Sequence, residues 1–276
     1  MKKIFAFTLF LIGCALTAQE TKNELNASIG YGISSLDYIL GEGELEKGNG
    51  PNIQLAYFHY LSPKLAIGTG VAFQAYRSNI GAVSLSDTYT TVDADGESFE
   101  YRYTLKGLLE KQYVNYLQVP LLFRLETEHT NTRLYMVVGA KAGVALTSEY
   151  RTKASKLTTS GHYPQHNATL NGPTFAGFGD LGPIDAPRRD LALKTAFSLA
   201  MEVGAKHRIN HGQWLYLGVY VDIGRNDLRE ETHKNLVDYD PDNGTSPTIG
   251  TILETDHSNS VSLMALGIKL GYGMGW

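Results

Sequence analysis

Large apolar residues recur at every second position through most of this chain. In the run 25–33, Leu25, Ala27, Ile29, Tyr31 and Ile33 take the odd positions, and small or polar residues take the even ones. A period of two marks a strand with one apolar face, because successive side chains of a strand point to opposite sides. The alternation returns in runs 53–61, 65–73, 113–125, 134–150, 193–209, 214–226 and 258–276. Each run supplies the ~9–11 residues that a tilted strand needs to cross a bilayer. No convincing 3.6-residue period competes with it. The links alternate as well. Short ones lie around Pro63 and at 126–132 and 210–213, and long polar ones at 34–52, 78–112, 151–192 and 227–257. Short turns at one end and long loops at the other predict an all-β, eight-stranded antiparallel up-and-down transmembrane β-barrel with long extracellular loops.

A soluble sandwich or lipocalin-like barrel also alternates, but it turns its polar face to water. Here the second face is too slight for a solvated surface: Gly68, Gly70, Ala72, Gly139 and Gly143 lie on it. The large residues are therefore assigned to lipid and the small ones to the barrel interior. That parity places Gln118, Pro120, Arg124, Lys141, Glu202, Lys206, Asp222 and Lys269 in the lumen. The assignment spares the ~2–4 kcal/mol that Arg or Lys costs on the lipid face at the midplane. An eight-stranded barrel has room inside only for side chains. The six charged residues among these are expected to form a packed ionic network in preference to an ion path.

The N-terminus sets the compartment. Lys2 and Lys3 precede an apolar stretch 4–12, and Ala18-Gln19 offers a cleavage point after a small residue. The stretch is too short to span a bilayer, so residues 1–18 read as an export signal and 19–276 as one barrel domain. Leu11-Ile12-Gly13-Cys14 also resembles a lipoprotein signal, in which Cys14 is lipidated. Cys14 is the single cysteine, so no disulfide or thiolate metal site is expected in the mature protein. A net charge of −4 without a block of like charge argues against a nucleic-acid partner.

At the other end, Met264, Leu266, Ile268, Leu270, Tyr272, Met274 and Trp276 form one stripe, and small residues with Lys269 form the other. Lys269-Leu270-Gly271-Tyr272-Gly273-Met274-Gly275-Trp276 resembles the C-terminal signal by which the barrel-assembly machinery receives outer-membrane barrels. Tyr116-Leu117-Gln118-Val119-Pro120-Leu121-Leu122 is similar to a strand-four motif of small Bacteroidota barrels, the PorT-like and OmpA-like outer-membrane β-barrel families. The resemblance implies an outer-membrane location, contact with outer-membrane lipid, and membership of a larger envelope complex as one option. It assigns no activity. OmpA carries a peptidoglycan-binding domain after its barrel, an activity not expected of a chain that stops at Trp276.

Catalytic and metal chemistry leave faint traces. There is no Gly-x-Ser-x-Gly elbow, His-Glu-x-x-His pair, phosphate loop or dinucleotide fingerprint. His162, His166, His233 and His257 lie in expected outer loops near serines, the residue types of lipid-modifying barrels, yet nothing in the spacing fixes one beside another. Asp238-Tyr239-Asp240-Pro241-Asp242-Asn243-Gly244 has the alternate carboxylates a calcium ion prefers, but its glycine falls one place late for an EF-hand and Ile249 stands where the closing Glu belongs. Asp93-Ala94-Asp95-Gly96-Glu97 reads as a turn between runs 88–92 and 98–103, which could pair as a hairpin above the membrane. Trp214, Tyr216, Tyr57, Tyr60, Phe73, Tyr76 and Trp276 lie near expected strand ends, as interfacial girdles do. The 151–192 link exceeds the ~12–15 residues typical of a plain loop and carries Phe175, Phe178, Leu181 and Ile184, candidate anchors for a partner. The expectation is a non-enzymatic barrel without a cofactor. It would anchor, adhere or bind an envelope protein or extracellular ligand through its loops. A narrow channel and a lipid-modifying enzyme are the alternatives.

Overall fold

The computed structural model describes residues 22–276 apart from 129–130, 231 and 242–246. The export-signal and Cys14 readings, and part of the acidic 238–244 stretch, lie outside the described residues.

Eight strands form the ring: β1 (Asn23–Asp37), β2 (Asn49–Ser62), β3 (Leu65–Val92), β4 (Ser98–Glu126), β5 (Thr132–Tyr163), β6 (Ala196–Asn210), β7 (Gln213–Gly224) and β8 (Ser262–Gly275). Each pairs antiparallel with the next, and β8 returns to β1, so the meander closes. Closure leaves no unpaired strand edge within the ring, the condition for strands to cross a bilayer. The register sets large apolar residues side by side across the seams: Ile29 lies opposite both Ile53 and Leu270, and Val203 opposite both Met136 and Val219.

Parity decides what lies outside. Leu117, Val119, Leu121, Phe123 and Leu125 are all exposed on β4, as are Leu199, Met201 and Val203 on β6 and Ile268, Leu270 and Tyr272 on β8. Burial would remove such side chains from water at roughly 25 cal/mol per Å2, so an uninterrupted apolar belt around a closed ring has lipid as its solvent. Belt and ring together make this an integral outer-membrane β-barrel.

The strands outgrow the membrane on one side. β3, β4 and β5 run 28, 29 and 32 residues, against 12 to 15 for the other five. Most of the expected 78–112 loop and the first part of 151–192 are therefore strand, and the hairpin of 88–103 continues β3 and β4. The apex is a turn in which Asp93 Oδ1 accepts hydrogen bonds from the amides of Asp95 and Glu97, at 3.0 and 2.9 Å. Residues 193–195 and 258–261, read as strand, lie before β6 and β8 begin.

Above the belt the inward face switches parity. Even positions 108–126 of β4 are buried, but beyond Gly107 the buried residues are Phe99, Tyr101, Tyr103 and Leu105. Gly107 sits at the switch with a φ of 58°, a conformation without steric penalty for glycine. β3 and β5 change phase at the same level, between Ala82 and Leu85 and between Ala154 and Leu157, so the register between the strands is unshifted there. The inverted stripe, with Leu85 of β3 and Leu157 of β5, packs on Leu236, Val237, Ile249, Ile252 and Leu253 from the 225–261 connection. A second apolar core thus forms as a dome over the barrel mouth.

Candidate functional site

The lumen is a stack of neutral layers. Arg124, Lys141, Lys206, Asp222 and Lys269 are buried there, with Glu202 nearly so. At the short-turn end, Arg124 Nη1 lies 2.6 Å from Glu24, and Lys206 Nζ 2.6 Å from Glu126 and 3.4 Å from Glu24. Tyr216 donates a short hydrogen bond to Glu24, and Tyr60 donates to Glu126 at 2.7 Å. The Arg124 guanidinium also stacks 3.4 Å from the centre of the Phe58 ring. One layer up, Lys269 pairs with Glu202 at 2.6 Å, and Tyr135 donates to the same carboxylate at 2.6 Å. Next, Lys141 pairs with Asp222 at 2.6 Å. Each buried cation thus meets a carboxylate, which a low-dielectric interior requires.

Sequence reading missed Glu24 and Glu126, the two acids of the lowest layer. Both carry the lumen parity of Ser28 and Arg124 but sit one residue beyond the apolar runs. It also misassigned part of the girdle. Trp214, Tyr216 and Tyr76 are buried inside the barrel, and Tyr60 leans inward to pair with Glu126. Even parity, applied consistently, would have placed all four there. The outward aromatics at that end are Tyr57 and Trp276, whose rings lie 6.4 Å apart, with Tyr272.

Inward glycines make room for the buried rings. A Cβ on Gly68 would lie 2.5 Å from the Phe58 ring, one on Gly204 2.7 Å from the Tyr135 hydroxyl, and one on Gly267 2.8 Å from the Tyr220 ring. The small stripe is therefore the complement of the aromatic one, and together they leave the lumen packed.

Above the membrane, Glu110 holds the dome to the wall. It is fully buried, and its carboxylate accepts hydrogen bonds from Gln112 (2.8 Å), Thr152 (3.1 Å), Thr251 (2.7 Å) and the amide of Ile252 (3.0 Å). Burial pushes its pKa above the usual carboxylate range, against the pull of those donors.

The loop candidates separate by exposure. Phe178 is not available to a partner: it is 2% exposed, stacked on Tyr239 and set edge-on to Phe99. Leu181 and Ile184 are half-buried against the same core. Phe175, 76% exposed on a short 3-10 turn, is the one that reaches solvent. The histidines are dispersed: His162 contacts Thr169, His166 Glu97, His233 Asp256 and His257 Asp87. Among the described residues no group of three or more His, Cys, Asp or Glu is arranged to hold a metal ion.

No protein-family model matches the chain, and no curated protein matches it. Among solved structures it is similar to the outer membrane protein OprG from Pseudomonas aeruginosa, at 10% identity over 94% of this chain and 97% of that one, with a TM-score of 0.41. It is also similar to Neisserial surface protein A, at 10% identity, 93% and 98% coverage and a TM-score of 0.36. A third is Ail, the attachment invasion locus protein of Yersinia pestis, at 12% identity, 92% and 99% coverage and a TM-score of 0.35. At these values the likeness says nothing of activity, and the fold rests on the closed ring and its apolar belt.

Proposed function

We propose that this outer-membrane barrel is a non-enzymatic binding or anchoring module that acts through the dome and loops outside the membrane, alone or as a subunit of an envelope complex. The observation that carries this reading is the filled interior. Three layers of paired charges occupy the lumen, and the dome closes the mouth above them. A solute path would need those ion pairs to part, each leaving charges in a low-dielectric space. With the interior committed to stability, the long strands and their connections are what the molecule offers to its surroundings, and surface loops on a rigid scaffold are where binding residues concentrate. The assembly machinery that reads the β8 stripe ending at Trp276 and the lipid around the belt are partners of the barrel itself, not of the dome. Planar-bilayer recording tests the proposal: purified protein should give no steady conductance steps, and regular steps would favour the narrow-channel alternative.

A further inference from the structure

We infer that residues 82–92 of β3 form a receptor edge onto which an extended, basic peptide segment of another envelope protein adds as a further strand. This deepens the binding-module reading and rests on it.

β3 is paired with β4 along its whole length above the membrane. On its other side, β2 reaches only as far as Gln74, and the short strand Glu44–Lys47 covers Ser78 to Gly81. Beyond Gly81 no described residue pairs with that side. The opposite edge of the same extension, on β5, is covered by Ala168–Leu170, Gly179–Asp185 and Arg189–Asp190. Among the described residues, one edge is thus shielded by the chain itself and the other is left open.

The open edge has little of the usual protection beyond one charge of inward parity, Asp87. Natural edges carry Lys, Pro or inward charge, or are covered. Here Val83-Ser84-Leu85-Ser86-Asp87-Thr88-Tyr89-Thr90-Thr91-Val92 has β-favouring residues, no Pro and no Lys. Its one charge, Asp87, is engaged by His257 at 3.3 Å and by the Tyr103 hydroxyl at 3.4 Å. Ser84, Ser86, Thr88, Thr90 and Val92 are exposed on the outer face, small enough to admit a neighbouring strand.

The chain demonstrates the geometry on its own edge. Glu44–Lys47 already adds antiparallel to β3, and the chain joins that ladder just after Gly43, whose φ of 101° holds the preceding backbone off the ladder beside Gly81 and Ala82. An incoming strand would continue that ladder upward, with its C-terminal end against Glu42, Glu44 and Glu46. These acids line an open groove of about 1310 Å3 at the foot of the edge. They select a basic segment and disfavour a second copy of this acidic edge, while main-chain hydrogen bonds supply sequence-tolerant affinity.

The test uses full-length protein in detergent micelles and a labelled eleven-residue peptide alternating Thr and Val, with two Lys among its last four positions. Fluorescence anisotropy should show saturable binding, and hydrogen exchange should show new amide protection within residues 82–92. Replacing the two Lys by Glu, or introducing Glu42→Lys with Glu44→Lys, should weaken binding by roughly tenfold or more. N-methylation of alternate peptide amides should abolish it, while heat-modifiable migration confirms that the variants remain folded. Equal binding by the N-methylated peptide would reduce the effect to charge alone and overturn strand addition. Absence of saturable binding, or protection of 82–92 that appears with protein concentration and no peptide, would also overturn it, the latter in favour of self-association. A silent planar bilayer with a failed peptide assay sinks the edge and leaves the wider binding reading standing.

Discussion

Two acidic residues, both buried, do opposite work. Asp222 is ionic glue: its carboxylate neutralises Lys141 at 2.6 Å, and neither group reaches water. Removing one member strands the other, at a cost of ~3–5 kcal/mol, whereas replacing both with apolar residues of similar size is often neutral. Asp222→Ala should therefore lower the urea midpoint of the folded barrel strongly, and Lys141→Met with Asp222→Leu should restore most of it. A wild-type midpoint in Asp222→Ala would mean that the pair contributes nothing. Glu110 has no cation among its hydrogen-bond partners, only hydroxyls, an amide side chain and a backbone N–H. Its folded pKa lies above the ordinary one, so the folded dome binds this proton more readily than the unfolded chain does. The associated stability is present in acid, below the ordinary carboxylate pKa, and is lost as pH rises through the raised value. Amide protection at Ile252, corrected for intrinsic exchange, should fall across that window and should be flat in Glu110→Gln.

At the scale of elements, the three long strands and the connection that packs on them share one core. Phe178 stacks within it and Phe175 points away, although the two are three residues apart on one loop. Phe178→Ala should destabilise the dome by ~3–5 kcal/mol, as large aromatic truncations in a packed core do. Phe175→Ala should leave stability within about 0.5 kcal/mol, because it vacates only solvent. Limited proteolysis of the loops in each variant separates the two. Similar susceptibility would show that residues 164–195 are not anchored by Phe178. In sequence, Phe175, Phe178, Leu181 and Ile184 stand as equal candidates within one link. Its division into a core residue and a presented one follows from the Gly179–Asp185 strand, which docks against β5.

For the molecule as a whole, two kinds of obstacle fill the interior, the apolar dome and the charged layers beneath it. The dome blocks the mouth, and the Glu24–Arg124–Lys206–Glu126 layer blocks the short-turn end. Replacing residues 234–254 with a Gly/Ser linker should therefore remove the dome without opening a pore, and planar-bilayer recordings of that variant should stay silent. Conductance appearing after the replacement would show that the charged layer is permeable and that the dome alone seals the barrel.

Strand count, the apolar belt and the lumen charges were legible along the chain, because a period of two is a local property that survives without tertiary information. A charge on the small-residue face of a membrane strand has one affordable destination, so Arg124, Lys141, Glu202, Lys206, Asp222 and Lys269 could be placed by parity. What parity could not carry was anything beyond a change of phase. At Gly107 the backbone turns over and the inward stripe changes phase, so Phe99, Tyr101 and Tyr103 fell within a long polar link when they are the dome's core. Nor does alternation say which lumen charges meet: the partners Glu24 and Arg124 lie a hundred residues apart and are joined only when β1 and β4 face each other across the closed ring. The same holds for the open edge of β3. The sequence alone determined that 88–92 could form a strand; only the arrangement of neighbours in the folded molecule decided that one of its sides has no partner strand among the described residues.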